Sequence, residues 1–235
     1  MGRMFFLFAL VSLFSSTGTA QNSVTITSDP TQTARPVSAL LEQVRKREEL
    51  SVTYEDPRYL RDSDMDERPA SFAYGPQEMR GPDAEATVAR MLREYELGGG
   101  PTFTVVRDGI RLHVVPDEIL NGAGQRVHQD SVLDAIISIP PRKRNGSQLL
   151  GEICNQVQKQ TGYLIDVGIG TPTNFLVRYH TAEGIENQPA RSALGHLLDS
   201  ISTPGRYVWD LYYDPNDNSY GLNFSDVGHS GFVQK

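Results

Sequence analysis

The single cysteine of the chain, Cys154, its five histidines and two runs of alternating carboxylates and amides are the side chains equipped for nucleophilic, metal or acid–base work. Cys154 falls between Leu150 and Val157 at helical spacing, an apolar-face position where burial raises the pKa of a thiol and leaves it inert. His113, His128, His180, His196 and His229 include no pair at i+2, i+3 or i+4, so no strand or helix offers zinc a two-imidazole edge. Asp62, Asp64 and Asp66 take positions one, three and five of a calcium loop, but Glu67 stands where the turn needs Gly and Ala73 where a bidentate Glu belongs. Asp214, Asn216 and Asn218 open the same way and fail at Ser219 and Ser225, which leaves a hairpin turn. Phosphate-cradling, dinucleotide and G-x-S-x-G signatures are absent, and Gly98, Gly99 and Gly100 end a helical pattern rather than start one. The expectation is a chain with no catalytic residue, no cofactor and no metal.

Recognition chemistry is richer. Glu55, Asp56, Arg58 and Tyr59 group charge and an aromatic ring directly after a strand-like run, and a long acidic insert follows them. Trp209 and Tyr213 belong to a run in which Tyr207, Trp209, Leu211 and Tyr213 share one strand face. These six residues, Glu55, Asp56, Arg58, Tyr59, Trp209 and Tyr213, are the candidates for binding a partner, with any aromatic surplus outside the core serving as a surface or a strand-addition edge. The basic run Arg142, Lys143 and Arg144, set among prolines, Asn145 and Gly146, reads as a solvated loop.

Residues 1–20 have the pattern of a cleavable secretory signal: Arg3 as the charged start, an apolar run over residues 4–14 too short to cross a bilayer, and small residues Gly18 and Ala20 at the cut. Cleavage after Ala20 would leave Gln21 as the new terminus. No cysteine lies near the cut to carry lipid, and no later segment reads as a membrane span, so the expected product is periplasmic or secreted, with no lipid anchor. Losing Arg3 changes 22 basic against 29 acidic residues to 21 against 29, a net charge of −8, which disfavours nucleic acid and anionic membrane surfaces. One cysteine cannot form an internal disulfide, so an exported chain of 235 residues must hold together through its core.

The elements that would position these groups repeat. Val37, Leu40, Leu41 and Val44 mark one helical face within residues 36–49, and Leu150, Ile153, Cys154 and Val157 repeat the spacing within residues 147–161. Ala84, Val88, Met91, Leu92 and Tyr95 define a second helix, repeated by Ala190, Leu194, Leu197, Leu198 and Ile201. Pro36, Pro82 and Pro189 stand where a first helical turn tolerates proline, and Asn145 or Ser147 can cap the third helix. Strands are expected at residues 24–27, 50–54, 71–74, 132–139, 163–167 and 175–179. Each half then ends in a hairpin, the first turning at Asp108 and Gly109, the second at residues 214–219. The fold class is α+β: two tandem β-α-β-β-α-β-β domains, each with two helices packed on small mixed or antiparallel sheets. The expected division is a signal over residues 1–20, a first domain over 21–119 and a second over 120–235, with residues 116–129 as linker.

On this order each half resembles the short N-terminal domain of secretins and TonB-dependent receptors. The stretch LLGEICNQVQKQTGYLIDV reads like that family's first helix and following strand, and PARSALGHLLDSIS like its second helix. PVSALLEQVRKREELSVTYEDPRY in the first half also resembles the start of many exported bacterial proteins without an assigned activity. The family's usual neighbours, a plug and barrel or a secretin channel, are not in this chain, so transport does not carry over. The resemblance implies a periplasmic, non-catalytic module that binds an envelope protein or itself through helix faces and sheet edges. Two other classes stay open at this point: an exported hydrolase or carbohydrate-active protein using carboxylates such as Asp56 and Asp64 in a cleft, and a small-ligand binder with its site between the halves.

Overall fold

The computed structural model describes residues 23–28, 35–59, 69–121, 123–128, 130–168 and 173–227; the expected signal and the carboxylates Asp62, Asp64 and Asp66 lie outside the described residues. The first half runs through β1 (Val24–Thr27), α1 (Pro36–Glu48), β2 (Val52–Glu55), β3 (Ser71–Tyr74), α2 (Asp83–Leu97), β4 (Phe103–Asp108) and β5 (Arg111–Pro116). A small hairpin, β6 (Glu118–Leu120) and β7 (Arg126–His128), follows. The second half contains β8 (Ile136–Ile139), β9 (Arg144–Asn145), α3 (Gly146–Thr161), β10 (Leu164–Val167), α4 (Asn174–Arg178), β11 (His180–Thr181), β12 (Ile185–Pro189), α5 (Ala190–Ile201), β13 (Tyr207–Asp214) and β14 (Ser219–Asp226). The α+β class is therefore what the chain adopts.

Helices form where apolar spacing and local chemistry agree. Val37, Leu40, Leu41 and Val44 are buried along α1, which carries Pro36 in its first turn. At the start of α3 the Asn145 side chain accepts from the Gln148 amide while the Gln148 side chain accepts from the Asn145 amide, a capping box. Gly162 closes that helix at φ +80°, a left-handed conformation that only glycine adopts without steric cost.

Six strands share one sheet in the order β10-β14-β13-β2-β5-β4. Pairing repeats within it: β2 is parallel to β5 and β10 to β14, while β4 is antiparallel to β5 and β13 to β14. The first half adds a separate antiparallel pair, β1 with β3, and the second adds two, β12 with β8 and the shorter β11 with β9. The halves meet where β13 runs parallel to β2, Asp210 opposite Tyr54 and Leu211 opposite Glu55. Alternation sends Val52, Tyr54, Leu112 and Val114 to one face, against α1 and α2. Trp209, Leu211, Tyr213, Tyr220, Leu222 and Phe224 point to the other face, against α3 and α5. The two cores thus sit on opposite faces of one sheet, and the linker between the expected domains does not separate two sheets.

Four local expectations are corrected. Residues 174–178 form a short helix rather than a strand; one helical turn seats Leu176 in the second core and leaves the Tyr179 carbonyl free to accept from Gly146 at 2.9 Å. Residues 132–134 form a 3₁₀ turn capped by the Ser131 hydroxyl, which buries both Val132 and Leu133 before β8 begins. The expected linker holds the β6–β7 hairpin, which closes on an Asn121 side chain accepting from the amides of Ala123 and Gln125. The first hairpin turns one residue later than expected: Asp108 pairs with Arg111, and the two-residue loop is Gly109 and Ile110, with Gly109 at φ +58°.

A shared sheet couples the halves. Leu41→Ala, a fully buried first-half truncation, is expected to cost about 2–5 kcal/mol. It should lower the unfolding midpoint reported by the one tryptophan, Trp209 in the second half, together with that of the whole-chain circular dichroism. A Trp209 transition left in place would show that the halves unfold independently.

Candidate functional site

The densest polar constellation lies where β13 meets β2. Arg45, in the last turn of α1, donates from Nη1 and Nη2 to the two carboxylate oxygens of Asp210 at 2.8 and 2.5 Å, and from Nε to the Val52 carbonyl at 2.7 Å. Both side chains are nearly excluded from solvent, 4% and 9% exposed. Such a bidentate pair is strong in place, and removing one partner leaves a charge without compensation.

On the opposite face α5 reaches across to the first half. Arg191 donates from Nε to Glu55 at 2.9 Å and from Nη1 to Asp134, while the Ser131 hydroxyl bonds the other Glu55 oxygen. Arg111 of β5 grips Asp199 of α5 through both terminal nitrogens at 2.7 and 2.5 Å. Asp56 accepts from Arg35 Nε at 2.6 Å and from the Tyr213 amide at 3.0 Å. Burial holds the Asp56 carboxyl above its ordinary range against the pull of Arg35. Arg35 also lies over the Tyr212 ring, 4.7 Å from its centroid.

His113 sits beneath α5, its Nδ1 2.8 Å from the Thr53 hydroxyl and its ring 5.2 Å from Trp209. Burial, reinforced by Arg191 and Arg111, pushes the imidazole down to about 3, so it is neutral at physiological pH. Burial likewise pushes the Cys154 thiol up to about 12, the inert state its apolar position implies.

All six residues singled out as partner contacts are buried. Glu55 and Asp56 are held by the guanidiniums named above, and Arg58 bonds the Tyr163 hydroxyl and lies over its ring. Tyr59, Trp209 and Tyr213 belong to the second core, Trp209 completely. The structure brings Glu55, Asp56, Trp209 and Tyr213 to the seam, as internal supports and not as a surface. Of the basic run, Arg142 and Lys143 are exposed in a loop as expected, whereas Arg144 is buried and bonded to Glu152, Pro140 and Glu183. In the second hairpin the Asp214 carboxylate accepts from the Asn216 amide at 2.9 Å, a turn contact.

Sequence reasoning missed Arg45, Asp210, Arg191, Arg111 and Asp199. One signal was available: Asp210 stands mid-strand among Val208, Trp209, Leu211 and Tyr212, where an unpaired carboxylate would be costly. No protein-family model, curated protein or solved structure matches the chain. Among the described residues no helix is long and apolar enough to cross a membrane, and no group of three or more His, Cys, Asp or Glu converges as metal ligands would. The chemistry of this site is a lock: its carboxylates are engaged by guanidiniums and its histidine is neutral and enclosed.

Replacing Arg45 with Met is expected to destabilise the chain by roughly 3–5 kcal/mol in denaturant titration, and adding Asp210→Leu to recover most of the loss. His113 binds a proton more readily unfolded than folded. Its contribution is therefore fully present above pH 6.5 and is lost as pH falls toward about 3. His113→Gln should flatten the fall in stability between pH 6 and 4 by up to about 1.4 kcal/mol per pH unit. An unchanged slope would mean that the imidazole is protonated in the native state.

Proposed function

We propose that the chain is an exported, non-catalytic protein-interaction module of the envelope, built from two tandem units that resemble the short N-terminal domains of secretins and TonB-dependent receptors. The observation that carries this reading is the repeated pairing inside the shared sheet, parallel β2–β5 with antiparallel β4 in one half and parallel β10–β14 with antiparallel β13 in the other, each beside a separate strand pair. The expected signal segment over residues 1–20 supports export to the periplasm or beyond.

Of the groups that could act as acid, base or nucleophile, Asp56, Glu55, His113 and Cys154 are buried and, apart from the shielded thiol, bonded to structural partners, which supports the non-catalytic part. Interaction is then left to the outer surface. Among the described residues both ends of the six-stranded sheet are open edges, and each carries an exposed aliphatic residue, Val106 on β4 and Leu164 on β10. Such edges accept a further strand through main-chain hydrogen bonds.

A photo-crosslinking residue placed at Val106 or Leu164 of the full chain, in the cell that makes it, tests the reading. Discrete adducts to a protein partner at an edge position, together with a processed chain beginning at Gln21, are the expected result. No adduct at either edge, or an unprocessed cytoplasmic chain, would contradict it.

A further inference from the structure

The inner seam is a template for an outer one. Along the sheet, β4 is antiparallel to β5, β2 and β13, and β10 is antiparallel to β13, so the two edge strands run in the same direction. A second copy displaced along the sheet would set its β4 beside β10 in parallel. That is the relation β13 already has to β2, since β13 occupies in its half the place β4 occupies in the first, and β2 the place of β10.

The faces of the sheet point the same way. In the first half the side of the sheet away from α1 and α2 is roofed by α5, which buries Thr53, Arg111 and His113. Register matches these three to Asp166, Ser219 and Gly221 in the second half, because Val52 opposes Leu112 as Ile165 opposes Tyr220. Among the described residues no helix roofs those counterparts: Asp166 is exposed, Ser219 and Gly221 are half-exposed. They line a groove of about 450 Å³ together with Tyr212, Asp214 and Arg35, whose guanidinium is bonded to Asp56. The helix equivalent to α5 is α2, whose apolar series Ala84, Val88, Met91, Leu92 matches Ala190, Leu194, Leu197, Leu198. On α2 the position of Asp199, which grips Arg111, is Arg93, exposed and opposite in charge to Asp166.

We propose that a second copy of this chain occupies that groove, its α2 over Asp166, Ser219 and Gly221 and its β4 paired in parallel with β10, so that copies add head to tail. The inference deepens the interaction-module reading by naming the partner, and it rests on that reading. The contact is heterologous, so association continues past the dimer. The buried lock of the inner seam has no equivalent outside, since the places of Arg45 and Asp210 are taken by Gln158 and Thr104, and the outer contact is correspondingly weaker and reversible.

Sedimentation velocity of the full chain, expressed with its native N-terminal segment, over a concentration series tests the proposal. The expected result is a mass that grows beyond the dimer with concentration. Asp166→Arg and Arg93→Asp should each weaken association about fivefold, and the two reversals together should restore it. The first reversal lowers the net negative charge and the second raises it, so bulk repulsion alone would move them in opposite directions. Both positions are exposed, and an unchanged Trp209 spectrum verifies the fold of each variant. A monomer at every concentration, a closed dimer, or association indifferent to both reversals overturns the proposal. A monomeric chain that still forms edge adducts with another envelope protein would overturn self-assembly alone and leave the interaction reading standing.

Discussion

A parallel strand pair matched over two positions joins the halves, and the buried bond between Arg45 and Asp210 decides where it forms. Two charges taken out of water in this way contribute less net stability than an apolar pair of similar size would, but they penalise every arrangement that leaves either one alone. A slip of one residue along β2 or β13 would carry Asp210 to the other face, away from the guanidinium. Glu55 with Arg191 and Arg111 with Asp199 repeat the constraint from the opposite face, so the seam is held from both sides of the sheet.

The placement of everything else follows from that seam. Once β13 lies parallel to β2, the strand directions of the second half are reversed relative to the first and its helices fall on the other face of the sheet. α5 is then carried over strands of the first half, enclosing His113 against Trp209 and Thr53. Among the described residues no helix covers the matching face of β10 and β14, and β4 and β10 stand at the two ends of the sheet. The features that support a role in association are thus the remainder after the two units satisfy each other.

Much of this was legible in residue spacing and some of it was not. The four long helices follow from apolar repeats such as Val37, Leu40, Leu41 and Val44, because a 3.6-residue period sustained over several turns has no other satisfactory packing. The strand expected at residues 175–179 follows from the alternation of Phe175, Val177 and Tyr179, but so short a segment suits a strand or a single helical turn, and only the place of Leu176 in the core separates them. The burial of the recognition candidates has a related reason: Trp209 and Tyr213 share one strand face, as their spacing implies, and that face packs against α3 and α5 rather than solvent. The seam itself joins residues about 165 positions apart, and no local pattern pairs Arg45 with Asp210.

Amide hydrogen exchange along β2 and β13 tests most directly whether the seam makes the two halves one body. Because the pairing and its charges span both units, the amides of residues 52–55 and 207–214 should exchange only through global unfolding, with the same free energy of opening. Exchange of residues 52–55 through a separate, cheaper opening while residues 207–214 stay protected would contradict it, and would make the halves two domains in contact.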